Sequence, residues 1–297
     1  MLESQFLIVV NYTVYCTFSL IIEFDSKAKS HLTIGNKWSE IAQSFGLTQD
    51  PLDGNFMLVM HKYDINLRNY LQQNHNHITW KQKIVIISDI IDALYFIHKE
   101  NSIHRDLHSG NILYNQYSDA WRVSDLGFCG PADKPLNSIY GNLPYIAPEV
   151  IAGKATTFAS DIYSIGMLMW EISSGVPPFA SFDHDYDLAM KIINGMRPKI
   201  IPGTPLKYRK LMEQCWNADP TKRPNVDFLY NEMNIIKSLY YQSENEDKIN
   251  NDVNNLQLNA NINNDCNSIN SLVRNFNSKI YKFEDLPEPR NAIKGNI

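Results

Sequence analysis

The chain has 297 residues and only four cysteines, Cys16, Cys129, Cys215 and Cys266. None forms a CxxC pair or a metal-ligand spacing, which argues against a disulfide framework or a cysteine-held zinc. They read as reduced thiols in a cytoplasmic setting. A basic surplus is also missing. Lys and Arg number 27 against 32 Asp and Glu, for a net charge of −5. Nucleic acid and anionic membranes both reward a positive face, so neither is expected as the main partner. Long apolar runs are scarce as well. Residues 4–22 carry no charge, and a spanning helix needs about 20 apolar residues. However, Asn11, Tyr12, Thr13, Thr17 and Ser19 dilute this stretch. It has no basic flank and no small-residue cleavage site, which disfavours a secretory leader. Alternation over residues 12–18 suits a strand pair, so a membrane role is unlikely on composition but left open by length.

What is present divides into three zones. Residues 1–40 form an unassigned apolar, β-rich segment. Residues 41–240 carry steady core periodicity and turn punctuation. Residues 241–297 are Asn-rich, with fifteen Asn after Gln242. Such a composition buries too little apolar surface to offset its ordering entropy and is expected to be a disordered tail. One short docking segment is expected within it, over residues 281–289.

The middle zone predicts a short strand over residues 56–60, preceded by the turn-rich stretch 50–54. A helix is predicted over 78–99, with Thr79 and Gln82 at capping-box spacing and an inward stripe of Ile84, Ile87, Ile91, Leu94 and Ile97. A second buried helix is predicted over 158–173, ended by Gly175 and Pro177. Val226, Leu229, Met233 and Ile236 mark a third.

Between the first two helices lie His104, Arg105, Asp106, Leu107 and Asn111, spaced as in the H-R-D-L-x-x-x-N catalytic loop. Asp125, Leu126 and Gly127 follow, then Ala147, Pro148 and Glu149, then Asp161 and finally Arg223. Singly, each has an ordinary reading as a helix-flanking acid, an Asx turn or a solvated helix end. As an ordered series they resemble the catalytic domain of the eukaryotic protein kinases, closest in pattern to the tyrosine-kinase-like group.

The resemblance implies an α+β, protein-kinase-like fold, with a mostly helical carboxy-terminal lobe and a truncated amino-terminal β portion. It assigns residues 41–240 to the hinge and that lobe. It implies ATP and Mg²⁺ as cofactors and a protein hydroxyl as acceptor. Asp106 would be the catalytic base, with Asn111 and Asp125 as magnesium ligands. Leu126 takes the usual Phe position as an apolar plug, and Gly127 would allow the sharp turn. Asp161 would brace the backbone of the catalytic loop, and Arg223 would pair with Glu149. His98 and His104 would be structural. Met60 would be the gatekeeper, the backbones of His61 and Tyr63 would bind adenine, and Leu113 would form the floor beneath it. Ser138 and Tyr140, between Asp125 and Glu149, would be modification sites, with Arg105 as the phosphate partner.

The sequence departs from the family in three respects. No glycine-rich loop or V-A-x-K strand is recognisable before residue 41, so the chain as written is expected to transfer phosphate poorly. His108 stands where serine/threonine kinases usually have Lys. Tyr145 and Ile146 precede the A-P-E triplet where tyrosine kinases have Trp. Serine and threonine are therefore favoured over tyrosine as acceptors. The alternative is a non-catalytic kinase-like fragment that binds a regulatory protein partner.

Overall fold

The computed structural model describes residues 30–49, 56–131, 139–251, 278–283 and 286–291. The uncharged stretch 4–22 and Ser138 lie outside the described residues. Among those described, no helix is long and apolar enough to cross a membrane.

The chain enters through α1, described over residues 30–33, which seats Ile34 in the main core. A hairpin of β1 (Ser44–Gln49) and β2 (Phe56–Met60) follows, antiparallel with a bulge between Ser44 and Gly46. It is tied to the rest by residues 40–42. The Ala42 amide donates to the Val123 carbonyl at 2.8 Å, and Ile41 bridges Val123 in parallel. β3 (Ile65–Asn66), β5 (Ile112–Asn115) and β6 (Ala120–Val123) form a three-stranded antiparallel sheet in the order β3-β5-β6, while β4 (Ser102–Ile103) pairs antiparallel with β7 (Gly130–Pro131).

Helices account for about half of the described residues. Asn66 caps α2 (Leu67–Asn74), its side chain accepting from the Asn69 amide. α3 (Trp80–Lys99) begins with the expected capping box, in which the Gln82 amide donates to Thr79 Oγ1 at 3.3 Å and the Thr79 amide to Gln82 Oε1 at 2.9 Å. The predicted stripe is wholly buried. α5 (Phe158–Ser174) is buried along nearly its whole length and ends at Gly175. Gly175 has φ +80°, and a β-carbon there would lie 2.2 Å from the His75 ring, so geometry and space both demand glycine. α6 (Tyr186–Ile193), α7 (Leu206–Cys215) and α8 (Val226–Asn251) complete the helical layer around α3 and α5.

The chain is therefore α+β, a small β portion on a helical lobe, with one large apolar core running from Ile34 to Ile236. Ala42, Leu58 and Met60 form a separate, smaller core, against which Tyr63 packs. Residues 278–283 and 286–291, part of the Asn-rich tail, pack on the lobe. β9 (Lys279–Tyr281) pairs antiparallel with β8 (Ile139–Gly141), and Tyr281 is buried in the main core.

Candidate active site

Fully buried in α5, Asp161 organises the loop that follows α3. Its Oδ2 accepts the His104 amide at 2.8 Å and His98 Nε2 at 2.9 Å, and its Oδ1 accepts the Arg105 amide at 3.0 Å. Burial alone would raise its pKa. The bond and charge of His98, the nearby His104 and the Arg105 amide outweigh burial and hold the carboxyl below its usual value. His104 Nδ1 accepts the Asp106 amide at 3.3 Å, so Nε2 carries the proton and donates to the Ser124 carbonyl at 3.0 Å. Burial lowers its pKa and keeps this neutral tautomer.

These bonds hold Asp106, Asn111 and the start of the next loop together. Asn111 Nδ2 donates to the Asp106 carbonyl at 2.9 Å. The Ser124 amide and hydroxyl both donate to the Asn111 carbonyl, at 2.8 and 2.9 Å. Asp125 follows directly, with φ 55° and ψ 63°, and its side chain accepts the Gly127 amide. The left-handed residue of this turn is therefore Asp125, not Gly127 as the sequence suggested. The short Asp side chain pays for that conformation with its own backbone bond.

The Asp106 carboxyl is nearly buried. Desolvation, then the charge of Asp125, push its pKa up to about 7 against hydrogen bonds from Ser278, Asn111 and the Asn142 backbone. The carboxyl faces Gly141, whose φ is +136° and whose β-carbon would sit 3.3 Å from Asp106 Oδ1. Glycine lets the 139–141 strand pass this close.

A further set of buried side chains supports this loop. His108 Nδ1 accepts the Gly110 amide at 3.0 Å, so its Nε2 is the donor. Burial first, then Arg68 and His104, hold His108 well below its ordinary pKa and therefore neutral. The Ser109 hydroxyl donates to Glu171 Oε1 at 2.8 Å and Tyr145 to Glu171 Oε2 at 2.6 Å, while Arg68 Nε donates to Ser109. Sequence reasoning missed this buried network. Its members are spread from residue 68 to 171, and no local spacing signals them.

The expected nucleotide side is less concentrated. Met60 ends β2 in the small core. The His61 amide is spent on the Gln43 carbonyl at 3.1 Å, so of its backbone only the carbonyl is left to face a base. The Tyr63 hydroxyl accepts the Gln43 amide at 3.3 Å. Leu113 lies half-buried in β5, opposite Asn66 and Arg122. The two regions meet where Asn115 Nδ2 donates to His61 Nε2 at 2.9 Å. The predicted ion pair of Glu149 and Arg223 is present, bidentate and buried, with both bonds at 2.7 Å.

The chain matches the protein tyrosine and serine/threonine kinase family over residues 30–233. This chain belongs to the protein kinase family. The kinase domain is 32% identical over 196 residues to "Probable serine/threonine-protein kinase roco8" of Dictyostelium discoideum, covering 61% of this chain and 10% of that protein. It is 32% identical over 151 residues to "Dual serine/threonine and tyrosine protein kinase" of Danio rerio, covering 50% and 17%. A "Putative serine/threonine-protein kinase/receptor R818" of Acanthamoeba polyphaga mimivirus is 32% identical over 167 residues, covering 54% and 10%. The chain thus spans only 10–17% of the length of these relatives. They are consistent with the tyrosine-kinase-like placement.

Do the kinase domain's residues suit a magnesium nucleotide? Asn111 spends its amide nitrogen on Asp106, which leaves Oδ1 as a neutral oxygen donor, and Asp125 offers a carboxylate. Among the described residues no group of three or more His, Cys, Asp or Glu is gathered for a metal. Magnesium takes one or two protein oxygens and fills its shell with phosphate and water, so this sparse oxygen donor set fits it.

Proposed function

We propose that the domain transfers the γ-phosphoryl group of ATP to a protein hydroxyl, serine or threonine in preference to tyrosine. Asp106 is the base. Its Oδ1 accepts the acceptor proton as the oxygen attacks phosphorus. A carboxyl with a pKa near 7 is well matched to giving and taking a proton near neutral pH. Asn111 and Asp125 would hold magnesium, which when bound would supply positive charge to offset that of the nucleotide phosphates. The backbone of His61 and Tyr63 and the side chains of Met60 and Leu113 receive the base. His104 and Asp161 act through the backbone, fixing where Asp106 points. His108, neutral and donating from Nε2, meets the acceptor oxygen beside Asp106, its Nε2 lying 3.7 Å from Asp106 Oδ1.

The observation that supports this reading is a hydroxyl already in place. Ser278 Oγ donates to Asp106 Oδ1 at 2.8 Å and receives His108 Nε2 at 3.0 Å. The test is incorporation of label from γ-labelled ATP into a degenerate library of Ser, Thr and Tyr peptides. Magnesium-dependent labelling, stronger in Ser and Thr peptides, is expected, and Asp125→Asn should raise the magnesium requirement. No labelling of any peptide at any magnesium concentration would overturn the proposal.

A further inference from the structure

The tail segment beginning at Ser278 lies across the face where an acceptor must enter. β9 runs antiparallel to β8, pairing Ile139 with Tyr281, Tyr140 with Ile280 and Gly141 with Lys279. Continued by one position, this register sets Ser278 opposite Asn142, whose backbone bonds the Asp106 carboxylate. Beyond β9 the segment keeps its hold. Tyr281 is buried, its ring stacks on Phe283 at 5.5 Å, and Phe283 meets Tyr186 of α6. Lys279 Nζ donates to the His184 carbonyl at 3.0 Å. Further on, Glu288 pairs with Lys154, the Arg290 amide donates to the Ile193 carbonyl at 2.8 Å, and Asn291 Oδ1 accepts the Ala218 amide at 2.8 Å.

A strap that served only to hold the lobe together would have no need of a hydroxyl at Asp106. Yet among the described residues of this segment, the side chain hydrogen-bonded to the carboxyl is a serine, in a directed chain of bonds. His108 Nε2–H donates to Ser278 Oγ, and Ser278 O–H donates to Asp106 Oδ1. The proton is aimed at the carboxylate and a lone pair of the oxygen is engaged by a neutral imidazole. An acceptor hydroxyl needs its proton aimed at a base immediately before attack; the imidazole steadies the oxygen, whose second lone pair remains for phosphorus.

We infer that Ser278 is an intramolecular phosphoacceptor, presented to Asp106 by the docked strand 279–281, so that the chain modifies its own tail in cis. The inference rests on the kinase reading above. In the step, Ser278 Oγ bonds to the γ-phosphorus of ATP and the bond from that phosphorus to its bridging oxygen breaks. ADP leaves with the electron pair, and the Ser278 proton passes to Asp106. Until that happens the strand occupies the acceptor site against other proteins. Tethering raises the effective acceptor concentration to roughly the millimolar range, so a chain of low turnover still completes this single event. Afterwards a phosphate dianion would stand beside Asp106 and Asp125, and like-charge repulsion should loosen the strand.

Two measurements on the 297-residue chain test this. Hydrogen exchange without nucleotide reads docking itself. Slow exchange is expected at amides 139–141 and 279–281, lost in Tyr281→Asp. Complete exchange of 279–281 at the earliest time point overturns the inference. Incubation with magnesium and ATP, followed by peptide mass mapping, reads the acceptor. Phosphate at residue 278 is expected, with a rate constant unchanged over a tenfold range of protein concentration. It should vanish in Ser278→Ala and persist in Ser278→Thr. Labelling of library peptides without phosphate at residue 278 overturns this inference and leaves the kinase reading intact. A rate proportional to protein concentration overturns the cis assignment. Failure of both labelling reactions overturns the two together.

Discussion

Arg105 stands at φ 71°, in the left-handed region, while its amide points to Asp161. A non-glycine residue there costs on the order of 1–3 kcal/mol and persists only where its surroundings hold it. Asp161 supplies that hold through three hydrogen bonds. Asp161→Ala is expected to leave two buried amides and the His98 ring without an acceptor, at a cost of about 3 kcal/mol or more. Its melting temperature and its transfer rate should both fall, and a thermal midpoint matching the parent chain would contradict the bracing role. His31 offers a test by pH. Burial, offset in part by Asp125, holds its imidazole at about 4 instead of 6.5. The folded state keeps His31 neutral, while the unfolded chain takes up its proton at the ordinary value. This contribution to stability is complete above pH 6.5 and fades as pH falls through 4. Midpoints measured from pH 7 to pH 4 should decline less steeply for His31→Gln. An identical slope would show that His31 plays no part; His104, shifted the same way, should leave some residual slope.

At the scale of elements, the Glu149–Arg223 pair joins the short helix α4 (Pro148–Ile151) to the turn before α8. Arg223 also donates to the Asn217 and Ala159 carbonyls at 2.8 Å, so its charge is fully committed. Removing one partner strands the other in the interior. Arg223→Ala should destabilise the lobe by about 3–5 kcal/mol, measured by denaturant midpoint, and a shift below about 1 kcal/mol would contradict it. This pair, the capping box at Thr79 and the Gly175 terminus were all legible in the sequence, because each depends on local spacing or on a motif residue. The β8–β9 ladder was not. Its strands are three residues each and lie more than a hundred residues apart, and neither carries an alternating pattern long enough to register. The Asn-rich composition of residues 241–297 leads to the expectation of a disordered tail. A docking segment is expected at 281–289, and Tyr281, Phe283, Leu286 and Glu288 do meet the lobe; nothing in the sequence signals that the contact begins at Ser278 or pairs as a strand. α8 likewise runs on to Asn251, past the point where apolar periodicity fades after Ile236.

Over the whole molecule, the fold's main purpose is positional. α3 and α5 form the rigid base, Asp161 fastens the loop to α5, and Ser124 ties Asn111 to the start of the Asp125 turn. Asp106, Asn111 and Asp125, named from an eight-residue pattern and a downstream triplet, are thereby held on adjoining turns. What the motifs could not convey is how the Asp106 carboxyl is partnered, since Ser278 comes from the far end of the chain. The Lys154–Glu288 pair, exposed on both sides, adds under about 1 kcal/mol to this closure; the apolar burial of Tyr281 matters more. The account stands on Asp106 as the proton acceptor in phosphoryl transfer. Its most direct test is to measure nucleotide affinity and single-turnover transfer together for the parent chain and Asp106→Asn. The account predicts affinity within about twofold and a transfer rate lower by about 10²–10⁴-fold, the usual contribution of a positioned base. Transfer at the parent rate by Asp106→Asn, with nucleotide bound equally well, would contradict it.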